Sequence, residues 1–127
     1  MAIRSYHDLE VYQLAFDLAI EVHQVSLKLP KYELYEEGSQ LRRAAKSIPA
    51  NIAEGFGRRR YKNEYIRFVV YALASCDETR VHLDILNHTG SLPKAPYDHL
   101  TAKYTILGKK LNRFLQTIIE SHEEPYR

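Results

Sequence analysis

Apolar residues recur at three- and four-residue steps in four stretches of the chain, whereas no stretch of useful length alternates with a period of two. This spacing predicts helices, because it places the apolar side chains on one helical face. The first helix is expected to begin at Ser5, with Asp8 completing a capping box, and to be closed by Pro30. Its predicted apolar stripe consists of Val11, Tyr12, Ala15, Phe16, Leu18, Ala19, Val22 and Val25.

The other three predicted helices are separated by turn and capping residues. The second starts within residues 34–39, the third runs from about Asn63, a competent cap, to near Gly90, and the fourth follows a turn at Pro93–Pro96. The third stripe contains Tyr65, Phe68, Val69, Ala72, Cys76, Leu83 and Leu86. The fourth contains Leu100, Tyr104, Leu107, Leu111, Phe114 and Ile118, whose alternating steps of four and three form a heptad seam.

Four amphipathic helices joined by short turns predict an all-α, antiparallel up-and-down four-helix bundle. The 127 residues, 45% apolar and 27% charged, fit one globular domain covering residues 1–127. The apolar runs are too short to span a bilayer and the first residues do not resemble a secretion signal, so a cytoplasmic protein is expected. Cys76, the single cysteine, is expected to be a small buried residue.

The second helix has an unusual distribution of side chains. On a helical wheel its core face is formed by Leu41, Ala45, Ile48 and Ile52, and its opposite face is small and polar. Pro49 is expected to bend the helix, and Gly55 and Gly57 to stop it. A small-sided face allows another helix to approach closely, which predicts a contact between copies. The predicted oligomer interface comprises Arg43, Ser47, Ala50, Asn51 and Glu54.

Positive charge is concentrated around the end of this helix. The segment from Ser39 to Val70 contains eight basic and two acidic residues, a local charge of +6, although the whole chain carries only +2. Such a polarised chain can present a basic face to a polyanion. The predicted nucleic-acid-binding residues are Arg42, Lys46, Arg58, Arg59, Arg60 and Lys62.

Two neighbouring segments resemble a known family. "QLRRAAKSIPANIAEGFGRR" and "EYIRFVVYALASCDE" closely resemble the four-helix bundle proteins encoded by intervening sequences in bacterial 23S rRNA genes, the S23 family. The resemblance extends from "DLEVYQLAFDLAIEVHQV" to the fourth helix, and "SIPANIAEG" is its most specific part. It implies an up-and-down bundle that assembles into ring-like homo-oligomers, typically pentamers, with nucleic-acid binding as the suggested activity.

Catalytic chemistry finds little support in the sequence, and we expect neither an enzyme nor a bound cofactor or metal. The Glu-x-x-His motif of di-metal bundles is absent, "EGFG" matches neither phosphate-binding loop pattern, and Ser47 and Ser75 lack an identifiable base. Two acid–histidine pairs are four residues apart, a spacing that could ligate a metal: Asp84 with His88, and Glu78 with His82. A structural ion pair between Glu78 and Arg43 is predicted instead.

Two functions from different classes therefore remain. The first is a homo-oligomeric module that binds RNA or DNA through the basic segment, with bases stacking on nearby tyrosines such as Tyr61 and Tyr65. The alternative is an oligomeric protein-interaction scaffold that binds no nucleic acid and recognises an unidentified client protein. In either case a head-to-tail contact that closes gives a ring, and the family resemblance implies that this ring contains five chains.

Overall fold

The computed structural model describes residues 3–121 and contains four long helices, two single turns of 3-10 helix and no strand within that range. Helices α1 to α4 span Glu10–Ser26, Glu37–Gly57, Lys62–His88 and Lys94–Glu120, and the 3-10 turns span Tyr6–Asp8 and Lys31–Glu33. Backbone contacts join α1 to α2, α2 to α3, α3 to α4 and α4 to α1, whereas the diagonal pairs α1–α3 and α2–α4 have no Cα atoms within 8 Å of each other. The predicted antiparallel four-helix bundle is confirmed.

The core follows the predicted stripes closely, with two exceptions, Phe16 of α1 and Phe68 of α3. Leu41, Ala45, Ile48 and Ile52 of α2 are fully buried, as are Leu100, Tyr104, Leu107 and Leu111 of the α4 seam. Cys76 is also buried, as predicted, and its desolvation raises the pKa of the thiol to about 11. The prediction was wrong for Phe16, whose side chain is 45% exposed on the outer side of α1.

The predicted capping box is present but serves a different helix. The backbone N–H groups of Arg4 and Ser5 donate to Asp8 Oδ2 at 3.0 and 3.1 Å, and the N–H of His7 donates to Ser5 Oγ. These bonds lower the pKa of the Asp8 carboxyl, the bond from Arg4 most strongly. They close the 3-10 turn Tyr6–Asp8, after which α1 starts separately at Glu10.

Two predicted helix starts require correction. Helix α3 begins at Lys62 with Tyr61 at the N-cap and no side-chain cap, so Asn63 lies inside the first turn. Helix α4 begins directly after Pro93, and Pro96 lies within its first turn, where a missing N–H costs no hydrogen bond. The end predicted near Gly90 is confirmed, since α3 ends at His88 and Gly90 adopts a φ of 83°.

Helices α2 and α3 are joined along their whole length. Glu37 Oε2 lies 2.7 Å from His82 Nδ1 near one end, and Ser47 Oγ hydrogen bonds Ser75 Oγ in the middle. Near the other end a Cβ added at Gly55 would lie 3.0 Å from Phe68 Cβ. Gly55 therefore allows α3 to approach rather than stopping α2, which corrects the prediction, and α2 ends at Gly57.

The Tyr104 hydroxyl is buried without a hydrogen-bond partner among the described residues, and burial raises its pKa. Because an unpaired buried polar group costs roughly 1–3 kcal/mol, Tyr104→Phe is expected to raise the unfolding free energy by about 1 kcal/mol. Urea unfolding with an unchanged m-value measures this difference. Tyr71→Phe, at an exposed tyrosine, is the control and should stay within about 0.5 kcal/mol of the parent. A destabilised Tyr104→Phe protein would contradict the assignment of an unpaired hydroxyl.

Candidate nucleic-acid interface

An arginine-rich loop connects α2 to α3 at the bundle end where α1 begins and α4 ends, called here the basic end. The N–H of Arg58 donates to the carbonyl of Gly55, and the N–H of Tyr61 donates to the carbonyl of Arg58, which makes the loop a tight turn. Arg58 and Arg60 are exposed, and Tyr61 is 65% exposed beside them. Three consecutive arginines and one aromatic ring thus share one corner of the bundle.

Ion pairs at this corner leave an excess of positive charge. Arg58 lies 3.3 Å from Glu54 and 3.6 Å from Glu64, and Arg67 lies 3.5 Å from Glu64. These arginine side chains are about half exposed, so water and salt screen each pair and the pairs hold them weakly. From Glu54 to Arg67 the chain carries five basic and two acidic residues.

Aromatic rings orient the arginine side chains. The guanidinium of Arg59 lies 3.8 Å from the ring centroid of Phe56 and donates to the Phe56 carbonyl. Arg58 and Arg67 lie 4.9 and 5.3 Å from the Phe68 ring. Cation–π contacts of this kind hold a guanidinium in place while its N–H groups still reach a ligand.

Arg67 and Phe68 were not among the predicted binding residues. Arg67 could have been found from its position three residues after Glu64, because this spacing places Glu64 and Arg67 on the same face of α3. That face lies beside Arg58. Phe68 had been assigned to the core stripe, but it is only half-buried and contacts arginines instead.

Arg42 is separated from the rest of the predicted binding set. It lies near the opposite end of α2, about 24 Å from Arg58 at 1.5 Å per residue. Its guanidinium donates to Ser26 Oγ at 3.0 Å and to the Leu34 carbonyl at 2.7 Å. These bonds fasten the connection between α1 and α2, so the geometry gives Arg42 a structural role.

Lys62 lies at the basic end but is engaged with the main chain. Its Nζ donates to the carbonyl of Ile119 in the last turn of α4 and to the carbonyl of Ser121, the C-cap residue of that helix. A cation at this position complements the negative end of the helix dipole. Lys46 is exposed on α2 and faces α1 rather than the arginine loop.

The predicted oligomer-interface residues do not form one open face. Ser47 and Asn51 are half-buried towards α3, where Ser47 hydrogen bonds Ser75 and Asn51 donates to the Ser47 carbonyl at 2.8 Å. Glu54 pairs with Arg58 at the basic end. Only Arg43 and Ala50 of the set are exposed without a hydrogen bond or ion pair among the described residues.

The predicted ion pair between Glu78 and Arg43 is wrong. Glu78 is 55% exposed and lies 3.3 Å from His82 Nε2, while the other ring nitrogen of His82 faces Glu37. The second acid–histidine pair also makes a local contact, because His88 Nδ1 bonds the backbone carbonyl of Asp84. Within residues 3–121, no group of three or more potential metal ligands is clustered.

An apolar groove of about 570 Å³ runs between the outer sides of α1 and α2. Phe16 and Ile20 form its α1 wall, and Pro49, Ala50 and Ala53 lie on its α2 side. Lys46 and His23 are its polar members, and Tyr6 and Tyr12 close it towards the basic end. The signal for its α1 wall was a second stripe, at steps of four and three, from Tyr12 through Phe16 and Ile20 to His23.

Fold and surface together define a four-helix bundle protein with an arginine-rich end and an apolar groove. The family model for 23S rRNA-intervening sequence proteins matches residues 7–113. The chain therefore belongs to the 23S rRNA-intervening sequence protein family.

One solved structure supports the fold independently. It is the crystal structure of a protein of unknown function from the S23 ribosomal protein family of Bacteroides thetaiotaomicron VPI-5482. The two chains superpose with a TM-score of 0.77 at 21% identity, over 84% of this chain and 98% of that one. No curated protein is significantly similar in sequence to this chain. In the part of the chain that the structure describes, none of the helices has the length and apolar character needed to cross a bilayer.

Proposed function

We propose that this protein is a non-enzymatic, cytoplasmic homo-oligomer, with five chains favoured, that binds RNA or single-stranded DNA through its basic end. One observation carries the proposal: Arg58, Arg59 and Arg60 occupy a single loop, with the exposed Tyr61 beside them.

A flexible or irregular strand fits this corner better than a duplex read in its major groove. The arginines lie on a loop at the bundle end, and the flanking helices are committed to the core by their apolar faces. No exposed recognition helix projects from this corner, whereas unpaired bases can stack on Tyr61 and on guanidinium planes. Weak sequence preference is the expected consequence.

Repetition of the loop supplies the affinity. One loop offers only a few phosphate contacts, but an oligomer presents several loops to one strand, and the second contact becomes effectively intramolecular. Each neutralised phosphate releases counterions, so binding should weaken steeply as salt increases.

The test compares RNA binding by two variants: one loses the three positive charges of the loop, and the other loses three positive charges elsewhere on the surface. Arg58→Gln, Arg59→Gln and Arg60→Gln are combined in one variant; the control combines Lys103→Gln, Lys109→Gln and Arg113→Gln on the exposed side of α4. In a salt-titrated gel-shift assay with single-stranded RNA, the loop variant should bind at least tenfold more weakly. Its salt slope should be shallower by about 2 for three lost phosphate contacts. The control should differ much less.

Two results would overturn the proposal. One is an absence of RNA and DNA retention by the unaltered protein at low salt, and the other is an equal loss in both variants. The alternative function, an oligomeric scaffold for a client protein, would then be favoured. That alternative is supported by the apolar groove, since exposed neighbouring rings and aliphatic chains often mark protein contacts.

A further inference from the structure

Helix α3 carries apolar residues on its outer side as well as on its core side. Val70, Ala74, Val81 and Ile85 are all exposed and, with Asp77, follow steps of four, three, four and four residues. They form one straight stripe on the outside of the helix, called here the outer stripe. Val81 alone leaves 53% of its surface exposed. A second apolar face on a helix that already contributes to the core indicates a second packing partner.

The outer stripe is longer than the groove between α1 and α2. The groove extends along α1 from Tyr12 to His23, about 17 Å, and the outer stripe extends along α3 from Val70 to Ile85, about 23 Å. The groove can therefore receive only part of the stripe. The alanines on the α2 side of the groove let the backbone of a third helix approach closely.

The charges of the two surfaces are opposite. The residues that line the groove include Lys46 and His23 and no acid. The outer stripe contains Asp77 and borders Glu78, whose side chains are 76% and 55% exposed. Arg80 lies 3.7 Å from Asp77, but this ion pair is exposed to solvent and therefore weak. Lys46 and His23 lie in the part of the groove farther from the basic end, whereas Asp77 and Glu78 lie in the middle of the outer stripe, between Ala74 and Val81. In a closed ring whose axis follows the bundles, neighbouring copies point in the same direction along that axis.

The heights of residues along the bundle axis determine which residues of two neighbouring copies would meet. Ser47 and Ser75 hydrogen bond within one molecule, so they lie at the same height along the bundle axis. Neighbours in a closed ring whose axis follows the bundles are not shifted along that axis. Lys46 of one copy is then level with Asp77 of the next, and Ala50 lies within one helical turn of the level of Ala74.

We propose that the groove of one copy receives part of the outer stripe of the next copy in parallel orientation, so that every basic end in the ring faces the same side. This inference rests on the homo-oligomer of the proposed function and names its contact surfaces. It is a head-to-tail contact between different surfaces, and Lys46 pairs with Asp77 across it.

Chemical cross-linking tests the pairing and its direction. Three proteins are treated with a short bismaleimide: Ala50→Cys, Ala74→Cys and the double variant. Only the double variant should give a ladder of covalent multimers, because the two thiols meet only between different copies. The native Cys76 is buried, so it should not react, and the unaltered protein is the blank. A second double variant, Ala50→Cys with Ile85→Cys, separates the thiols by about 20 Å along the axis in the parallel arrangement and should not cross-link.

A charge exchange gives an independent measure. Lys46→Asp and Asp77→Lys should each reduce the light-scattering mass from a multiple of 14.8 kDa towards that of one chain. The double variant should restore the multiple, because the ion pair is re-formed in reverse. An unrestored mass in the double variant would contradict the pairing of these two residues.

The remaining outcomes separate this inference from the proposed function. Cross-linking of Ala50→Cys alone would indicate groove-to-groove packing and overturn the head-to-tail contact. A multiple mass with no cross-link in the Ala50/Ala74 double variant would overturn these surfaces and leave the oligomer standing. A monomeric unaltered protein would overturn both the contact and the oligomer, whereas RNA retention by that monomer would still support binding at the basic end.

Discussion

Replacing Gly38 with alanine is expected to lower the free energy of unfolding by about 2–3 kcal/mol. Gly38 is buried in the first turn of α2, where a Cβ would lie 2.5 Å from the carbonyl oxygen of Glu33. The two nearest atoms belong to the backbone of Glu33, which cannot rotate away as a side-chain end can. The start of α2 must therefore move relative to the 3-10 turn before it.

Glu33 resists such a movement because its side chain is hydrogen bonded to the turn between α3 and α4. Its side chain is buried and accepts a 2.7 Å hydrogen bond from Ser91 Oγ, and Ser91 also lies 3.1 Å from the Tyr32 hydroxyl. The connection between α1 and α2 is thus joined to the turn between α3 and α4. A shift at Gly38 would strain a carboxylate whose burial depends on that bond.

Gly57→Ala is the matched control for this prediction. Gly57 ends the same helix, its φ is not positive and a Cβ there meets nothing within 4 Å. Alanine should leave stability unchanged or raise it by up to about 1 kcal/mol through helix propensity. Urea unfolding of both variants measures the difference. Equal stabilities for Gly38→Ala and Gly57→Ala would contradict the steric argument.

Arg42→Met is expected to cost about 2–3 kcal/mol, because it removes two hydrogen bonds from a charged donor and leaves the Leu34 carbonyl without one of its partners. The adjacent Arg43 is exposed and makes no hydrogen bond or ion pair among the described residues, so Arg43→Met should change stability by less than about 0.5 kcal/mol. Thermal or urea unfolding compares the two. If both variants lose the same stability, Arg42 does not fasten the connection between α1 and α2.

The same pair of variants refines the binding set. Arg42 was predicted to contact nucleic acid because it precedes the arginine loop in a basic segment. Because Arg42 lies about 24 Å from Arg58, we expect Arg42→Met to weaken RNA retention only by increasing the fraction of unfolded protein. Retention measured well below the unfolding transition should match that of the unaltered protein. Weaker RNA retention by the folded Arg42→Met protein would show that Arg42 contributes to RNA binding.

The sequence predicted the inner faces well because burial selects for regular spacing. The α4 seam and the core face of α2 repeat at helical steps with little competing apolar content, so their assignment needed no tertiary information. Helix α1 was harder, since Tyr12, Phe16 and Ile20 form a second stripe beside the core stripe. Periodicity alone cannot say which of two neighbouring stripes faces the core.

Features that depend on which helices are neighbours could not be predicted. Gly55 looked like a helix stop, because glycine near a helix end commonly serves as one, yet its function here is set by Phe68 on another helix. Charge counting along the segment placed Arg42 and Lys62 with the loop arginines, but their partners come from the α1–α2 connection and the end of α4. Summed charge shows that a surface is basic and not which cations remain available to a ligand.

Because α2 and α3 are in contact along their whole length, the arginine loop and the α1 wall of the groove can change independently in evolution. The arginine loop is carried by these two helices alone, held by the Ser47–Ser75 bond and the close approach at Gly55. The wall of the groove that Phe16 and Ile20 form belongs to α1. Substitutions at Phe16 or Ile20 can therefore alter which copies associate without displacing the arginines, so a lineage could change ring size or mix paralogous subunits while keeping the same charged corner.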